Sequence, residues 1–313
     1  MYFRKTGFTL VELLVVIAII GILASALVFQ VTKAGDSARA MRCRANLKNL
    51  AQAALSYGAE NRWLPFAGSF EDVVISITEN DAIPLYFERT GWVNWTGRSK
   101  GKFREPHPGQ TAKQCAAGRS YRNDPAFFSI TNGTLWYLTG KNLDVYSCDV
   151  HRKVSRQNGY PHVLRSYVMN SYFGFDNRGE NATHAPFRGI GVMGLSSKGN
   201  AGNLLLFSEM PIFKPNSGTP RQVDVKGEYN AGGPCWADGV LETHIHGYSS
   251  KRREYIGFNH LVAKRYVAHV AFADGHVDAL VEPRGATVQE LEDLTEDLCN
   301  GYEVEEEIRK KMH

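Results

Sequence analysis

Apolar residues are spread very unevenly along this chain. From Leu13 to Phe29 no residue is charged, and Glu12 is the one carboxylate between Phe8 and Phe29. A helix over 8–29 would rise ~33 Å at ~1.5 Å per residue, close to the ~30 Å hydrocarbon core of a bilayer. One membrane span is therefore predicted there. Beyond it the pattern becomes one-sided: Ala38, Met41, Ala45, Leu47, Leu50, Ala51, Ala54 and Leu55 recur mostly at three- and four-residue spacing. Arg39, Arg42, Arg44, Lys48 and Asn49 fall largely on the other side. The pattern predicts a single helix continuing to about Asn61 and stopped by Pro65.

Further along, the period shortens. Asp144–Cys148, Ser166–Asn170 and Asn203–Ser208 are short apolar runs bounded by Gly, Asn or Pro, which predicts strands. Thr131–Leu138 reads as a short helix, and the glycine-rich, polar stretch 174–202 as one long loop. Tyr266–Phe272 and Val277–Val281 flank Asp274-Gly275, and Asp-Gly between alternating segments is the strongest short-range hairpin signal. Thr287-Val-Gln-Glu290 is a capping box, and Val288, Leu291, Leu294 and Leu298 give a short amphipathic helix. An acidic stretch, Glu303–Glu307, and a basic one, Arg309–Lys311, follow, and the acidic one could meet the basic flank of a neighbour's long helix. The expected fold class is α+β: a long N-terminal helix, membrane-spanning in its first half, packed on a β-rich antiparallel globular head with long loops.

Composition adds constraints. The chain has 313 residues and a formal net charge of +4, so about 250 residues beyond the helix are available for one sizeable core. Basic residues form no long run or aromatic-studded motif, which excludes nucleic acid as a partner. Arg98-Ser-Lys100-Gly-Lys102 reads as a solvated loop. Five cysteines suit export. An oxidising compartment would allow disulfides among Cys115, Cys148, Cys235 and Cys299 in any of three pairings, leaving Cys43 on the long helix free or buried.

Arg4 and Lys5 precede the apolar run and several basic residues follow it, so the positive-inside rule leaves orientation open. A secretory signal peptide, cut near Ala24-Ser25-Ala26, is the rival reading; against it, the run is long for an h-region and carries Glu12 near its start. A carboxylate in a spanning helix usually has a partner. The segment Lys5-Thr-Gly-Phe-Thr-Leu-Val-Glu12 followed by an apolar helix resembles the start of a type IV prepilin or type II secretion pseudopilin.

That resemblance implies a leader over residues 1–7, removed by a prepilin peptidase between Gly7 and Phe8, and N-methylation of the new Phe8 terminus. The freed α-amino group has a reference pKa of ~8 and is cationic at neutral pH. The resemblance implies that Glu12 neutralises the terminus of a neighbouring subunit during assembly into a type IV pilus or type II secretion pseudopilus. It implies a single-pass inner-membrane precursor with an extracytoplasmic head and other pilin-like subunits as partners. Domains are then expected at 1–7, 8–62 (transmembrane over 8–29), 63–285 and 286–313, the last a helical tail.

A second resemblance lies near the C-terminus. Asn259-His260, the strand and Phe272-Ala-Asp-Gly-His-Val277 look like the signature of large pilin-like proteins with an H-x9-DG region. His260, Asp274, Gly275 and His276 carry it, although thirteen residues separate His260 from Asp274. Leu135–Cys148, Arg165–Asn170 and Leu206–Glu209 resemble the same group.

Chemistry is sparse. His244-Ile-His246 would share one face of a strand, and His260, His269, Asp274 and His276 lie within a short stretch, all possible zinc donors. No His-Glu-x-x-His pattern is present, and the Asp-Gly has a sufficient reason in its turn, so no metal or other cofactor is expected. No compact acidic calcium loop is found. Neither a Gly-x-Ser-x-Gly nor a phosphate-binding glycine loop occurs, so no enzyme is predicted and Glu71-Asp72 and Glu303–Glu307 read as surface charge. The primary reading is a structural pilin-like subunit. The alternative is a membrane-tethered extracytoplasmic binding module for glycan or a secreted client, with Trp92, Trp95, Trp136 and Trp236 as candidate contacts, and a third is a tethered metal-dependent hydrolase using the late histidines.

Overall fold

The computed structural model describes residues 9–67, 91–93, 130–131, 133–157, 165–174, 187, 190–197, 201–212, 240–241, 243 and 254–313. Helix α1 runs Leu10–Asn61. Its first turn is fixed by a capping box: Glu12 N donates to Thr9 Oγ1 at 3.3 Å, and Thr9 N donates to Glu12 Oε2 at 2.8 Å. Glu12 thus has a partner within its own chain. The helix ends where Arg62 turns to a left-handed φ of 69°, ahead of Pro65.

The two halves of α1 differ as the hydropathy requires. Large apolar side chains from Leu10 to Leu27 are exposed, Leu10 at 83% and Ile22 at 69%. Among the described residues no helix is long and apolar enough to cross a membrane; Gly7 and Phe8 lie outside those residues. The second half packs on the head through Ala40, Cys43, Leu47, Leu50, Ala51 and Ala54.

Leu47, Leu50, Ala51 and Ala54 lie in the expected stripe, but its N-terminal part differs. Ala38, Met41 and Ala45 are exposed, and Cys43 and Asn46 take their place. Asn46 can be buried because its Nδ2 donates to the carbonyls of Asp144 (2.9 Å) and Ser147 (3.2 Å). Nor is the basic flank wholly free: Lys48 Nζ donates to Gly275 O at 2.6 Å, Arg44 to Val277 O at 3.0 Å, and Arg42 pairs with Asp149 at 2.9 Å.

Asp144–Cys148 is not the expected strand. Leu143–Tyr146 is a 3₁₀ turn, capped by Asn142 accepting from Asp144 N, and helix α2 (Asp149–Gln157) follows. The turn presents the two carbonyls that Asn46 binds, which an extended chain would commit to a ladder instead. Residues 134–141 are successive turns rather than a helix, and the expected loop 174–202 contains α3 (Val192–Ser197).

Six strands form one sheet: β1 (Tyr167–Asn170), β2 (Leu205–Glu209), β3 (Val240–Leu241), β4 (His260–Val262), β5 (Arg265–Phe272) and β6 (Val277–Val281). All named pairings are antiparallel except β1 with β3. The sheet is therefore mixed at one edge. The predicted hairpin is present, with Val270 opposite Asp278 and Ala271 opposite Val277. Gly275 has φ 87° in its turn, a conformation suited to glycine.

β5 organises the sheet. β6 lies along one of its edges, while β2 pairs with Val270–Phe272 and β4 with Arg265–Val267. Because β6 pairs across both stretches, β2 and β4 must share the opposite edge, end to end. Helix α4 (Val288–Asn300), begun by the expected Thr287–Glu290 capping box, and α5 (Glu306–Met312) close the chain. The core joins Leu47 and Leu50 of α1 to Trp92, Tyr146, Tyr167 and Phe207, with the Trp92 ring stacked on Tyr146 at 5.9 Å.

Candidate functional site

The end-to-end arrangement of β2 and β4 leaves a junction over the middle of β5. Ser208 faces Val270 and His260 faces Val267, so Glu209, last in β2, and His260, first in β4, meet beside His269. His260 Nε2 lies 2.8 Å from Glu209 Oε1, and His269 Nδ1 lies 3.2 Å from the same oxygen. Asn259 Nδ2 donates to Glu209 Oε2 at 3.1 Å and to Met210 O at 2.8 Å. The chain approaches closely here: Gly257 N donates to Glu209 O at 2.7 Å, and a Cβ on Gly257 would stand 2.3 Å from Met210 O. Only glycine fits.

Two thiols complete the cluster. Cys43 comes from the buried stripe of α1, and Cys148 from the junction between the 3₁₀ turn and α2. Their sulfurs are 2.7 Å apart, and Cys148 Sγ is 3.6 Å from His260 Nε2. One donor atom each from Cys43, Cys148, Glu209 and His260 lies within 4.8 Å of all the others. All four residues are buried, so the cluster is closed rather than an open cleft.

Electrostatics follow from that burial. Desolvation alone would raise the Glu209 carboxyl, but the charge and hydrogen bond of His260, then those of His269, outweigh it and hold the group at about 2. Burial would lower His260, yet the facing Glu209 carboxylate, with a hydrogen bond that His260 donates to Cys43, pushes it up to about 10. The Cys148 thiol hydrogen-bonds Cys43 and brings it down to about 6, while burial pushes Cys148 itself up. His151, one turn into α2, is held down at about 4 by burial against a small opposing pull from Glu209. Its Nδ1 meets Ser166 Oγ at 2.9 Å, and its Nε2 has no partner among the described residues.

The residues singled out in the sequence divide. Asp274, Gly275 and His276 meet in the hairpin turn, where His276 Nδ1 lies 2.6 Å from Asp274 Oδ1 and the His276 ring stacks on Phe272. His260 is not with them, because it opens β4 and pairs with Val267 in the first half of β5, away from the turn. Trp92 is wholly buried and Trp136 half-buried against Tyr146, so Trp92 is a core residue and not a surface contact. Cys115, Cys235, His244, His246, Glu71, Asp72, Trp95, Trp236 and the 98–102 loop lie outside the described residues. Cys43, Cys148 and Cys299 are free thiols.

Cys43 is free and buried, one of the two expectations for it, and Glu209 is singled out in the sequence only within the Leu206–Glu209 stretch of the second resemblance; neither is expected in a site. A signal existed for the first: Cys43 sits at helical spacing with Leu47, Leu50 and Ala54. Glu209 directly follows Leu-Leu-Leu-Phe-Ser, an apolar strand that ends on a carboxylate.

No curated protein matches the chain, and no solved structure does. Residues 2–28 match the family model described as the prokaryotic N-terminal methylation motif, which supports a type IV pilin-like protein.

Proposed function

We propose that the chain is a prepilin-like precursor whose mature form is a structural subunit of a type IV pilus or type II secretion pseudopilus. The observation that carries this is the exposed apolar surface of Leu10–Leu27 at the end of a helix whose other half anchors a folded head. Such a surface needs a membrane or copies of itself. It rests in the inner membrane before assembly and packs against other pilin-like subunits after it. Prepilin peptidase cuts between Gly7 and Phe8 and the new terminus is methylated. The role is mechanical, with no catalytic step, and the motif match over residues 2–28 supports the start of this pathway.

Glu12 serves twice in this reading. Its carboxylate caps its own helix through Thr9, and its charge meets the Phe8 terminus of a neighbour. Glu12→Gln separates the roles, because glutamine also closes a capping box. In cells carrying the cognate assembly machinery, the variant should be processed normally yet disappear from the sheared fibre fraction. Wild-type yield of assembled Glu12→Gln would remove the assembly role. If the helix is only a tether for a binding module, the substitution leaves head exposure and membrane retention unchanged and no fibre fraction exists for either chain.

A further inference from the structure

We infer that Cys43, Cys148, Glu209 and His260 form a four-coordinate structural zinc site that fastens α1 to the sheet. The donor set is the first reason. Two thiolates, one imidazole and one carboxylate are all zinc ligands, and a closed set of four protein donors is the pattern of structural sites. Acidic clusters on surfaces often bind nothing; here all four side chains are buried, and they come from four separate segments of the fold.

Distances are the second reason. Tetrahedral zinc with Zn–S of ~2.3 Å and Zn–N of ~2.05 Å places sulfur and nitrogen about 3.6 Å apart. Cys148 Sγ and His260 Nε2 are 3.6 Å apart already. The same geometry asks for about 3.8 Å between two sulfurs and about 3.3 Å between nitrogen and oxygen. The present separations are 2.7 Å and 2.8 Å. Those two edges are the ones a proton now bridges, S–H···S in one and an imidazole N–H in the other. Zinc replaces both bridges, and opening the edges by about 1 Å or less takes only small side-chain rotations. As zinc binds, the one proton shared by the two sulfurs and the one on His260 Nε2 pass to solvent, leaving two thiolates and an imidazole that keeps its proton on Nδ1, and no electron is transferred.

A supporting shell is in place. Asn259 Nδ2 holds Glu209 Oε2, which orients the carboxylate with Oε1 toward the cluster, and His269 approaches from β5. Partners of this kind fix ligand geometry in known metal sites. Gly257 allows the strand ends to come close enough to carry both. The site would hold whether or not the chain enters a fibre, since its ligands belong to the head and the helix segment docked on it.

The test is elemental analysis of the full chain, extracted in detergent and purified without chelator or reductant. About one zinc per chain is expected, falling roughly tenfold or more in Cys148→Ser, as loss of a ligand requires. Should that variant not fold, Co²⁺ exchanged into the wild-type chain decides instead: thiolate ligation gives a sulfur-to-cobalt charge-transfer band and tetrahedral ligand-field absorption. A metal-free chain with both thiols free would overturn the proposal. So would a metal-free chain whose non-reducing peptide map joins Cys43 to Cys148, or a cobalt spectrum without the thiolate band.

Discussion

Cys43 and Cys148 stand 105 residues apart in the chain and 2.7 Å apart at their sulfurs. One rides on the helix that carries the apolar N-terminal half and the other on the turn that leads into the head, so the contact ties the two parts of the fold together. Substituting either by alanine should loosen that tie, and the effects should not add. A double-mutant cycle on urea unfolding of the detergent-solubilised chain should give a coupling of about 0.5–3 kcal/mol, the range for side chains in direct contact. A coupling indistinguishable from zero would mean the two sulfurs are neighbours without an energetic link.

Glu209 holds the junction of β2 and β4. Its carboxylate faces His260, His269 and Asn259, so Glu209→Ala takes the shared carboxylate partner from two buried imidazoles and leaves Asn259 Nδ2 only Met210 O. Removing one member of a buried ion pair typically costs about 3–5 kcal/mol. Unfolding midpoints should shift accordingly, and Glu209→Gln, which retains an acceptor for Asn259, should lose less.

His151 makes the head acid-sensitive. Its imidazole is depressed from 6.5 to about 4 by burial, so below pH ~6.5 the unfolded chain takes up a proton that the folded one refuses. Stability from this group is intact above ~6.5 and is lost as pH falls toward about 4. Linkage puts the loss at about 2 kcal/mol between pH 7 and pH 5. His151→Gln should flatten that part of the wild-type profile. An unchanged slope in the variant would assign the acid sensitivity elsewhere.

The Asp274-Gly275 turn docks on the helix as well as closing a hairpin. Lys48 reaches Gly275 O, and a Cβ on Gly275 would stand 2.8 Å from Leu55 Cδ1. With φ at 87°, Gly275→Ala should cost about 1–3 kcal/mol, the usual range for a non-glycine residue held in a sparsely populated region. Gly140 also has positive φ but its added Cβ meets nothing within 4 Å, so Gly140→Ala should cost less. Thermal unfolding of the two variants side by side checks the difference.

What was readable in the sequence was local. The long helix, the Asp-Gly hairpin and the Thr287 capping box are written in periods and short motifs, and the structure has them at the expected residues. The structure adds a capping box at Thr9–Glu12, which gives Glu12 a local partner that the reading of it as a carboxylate in an apolar run does not contain. Leu143–Tyr146 is a 3₁₀ turn and not the expected strand, and its Asp144 carbonyl accepts from Asn46 on α1, a tertiary contact that no local pattern reports. For the same reason Ala38, Met41 and Ala45 lie off the buried face of α1, where Cys43 and Asn46 sit instead, while Leu47, Leu50, Ala51 and Ala54 lie on it as expected. The cluster itself needed β2 and β4 to share one edge of β5, and strand order is not written in any single segment.

The central claim, that this chain is a pilin-like precursor, is tested most directly by its mature N-terminus. Intact mass and N-terminal sequencing should be performed on the membrane-extracted chain, co-expressed with a prepilin peptidase, beside Gly7→Leu. The account predicts a mature chain that begins at Phe8 and carries one added methyl group, with both changes lost in the variant. An uncut Met1, or a chain beginning near Ser25, would contradict it.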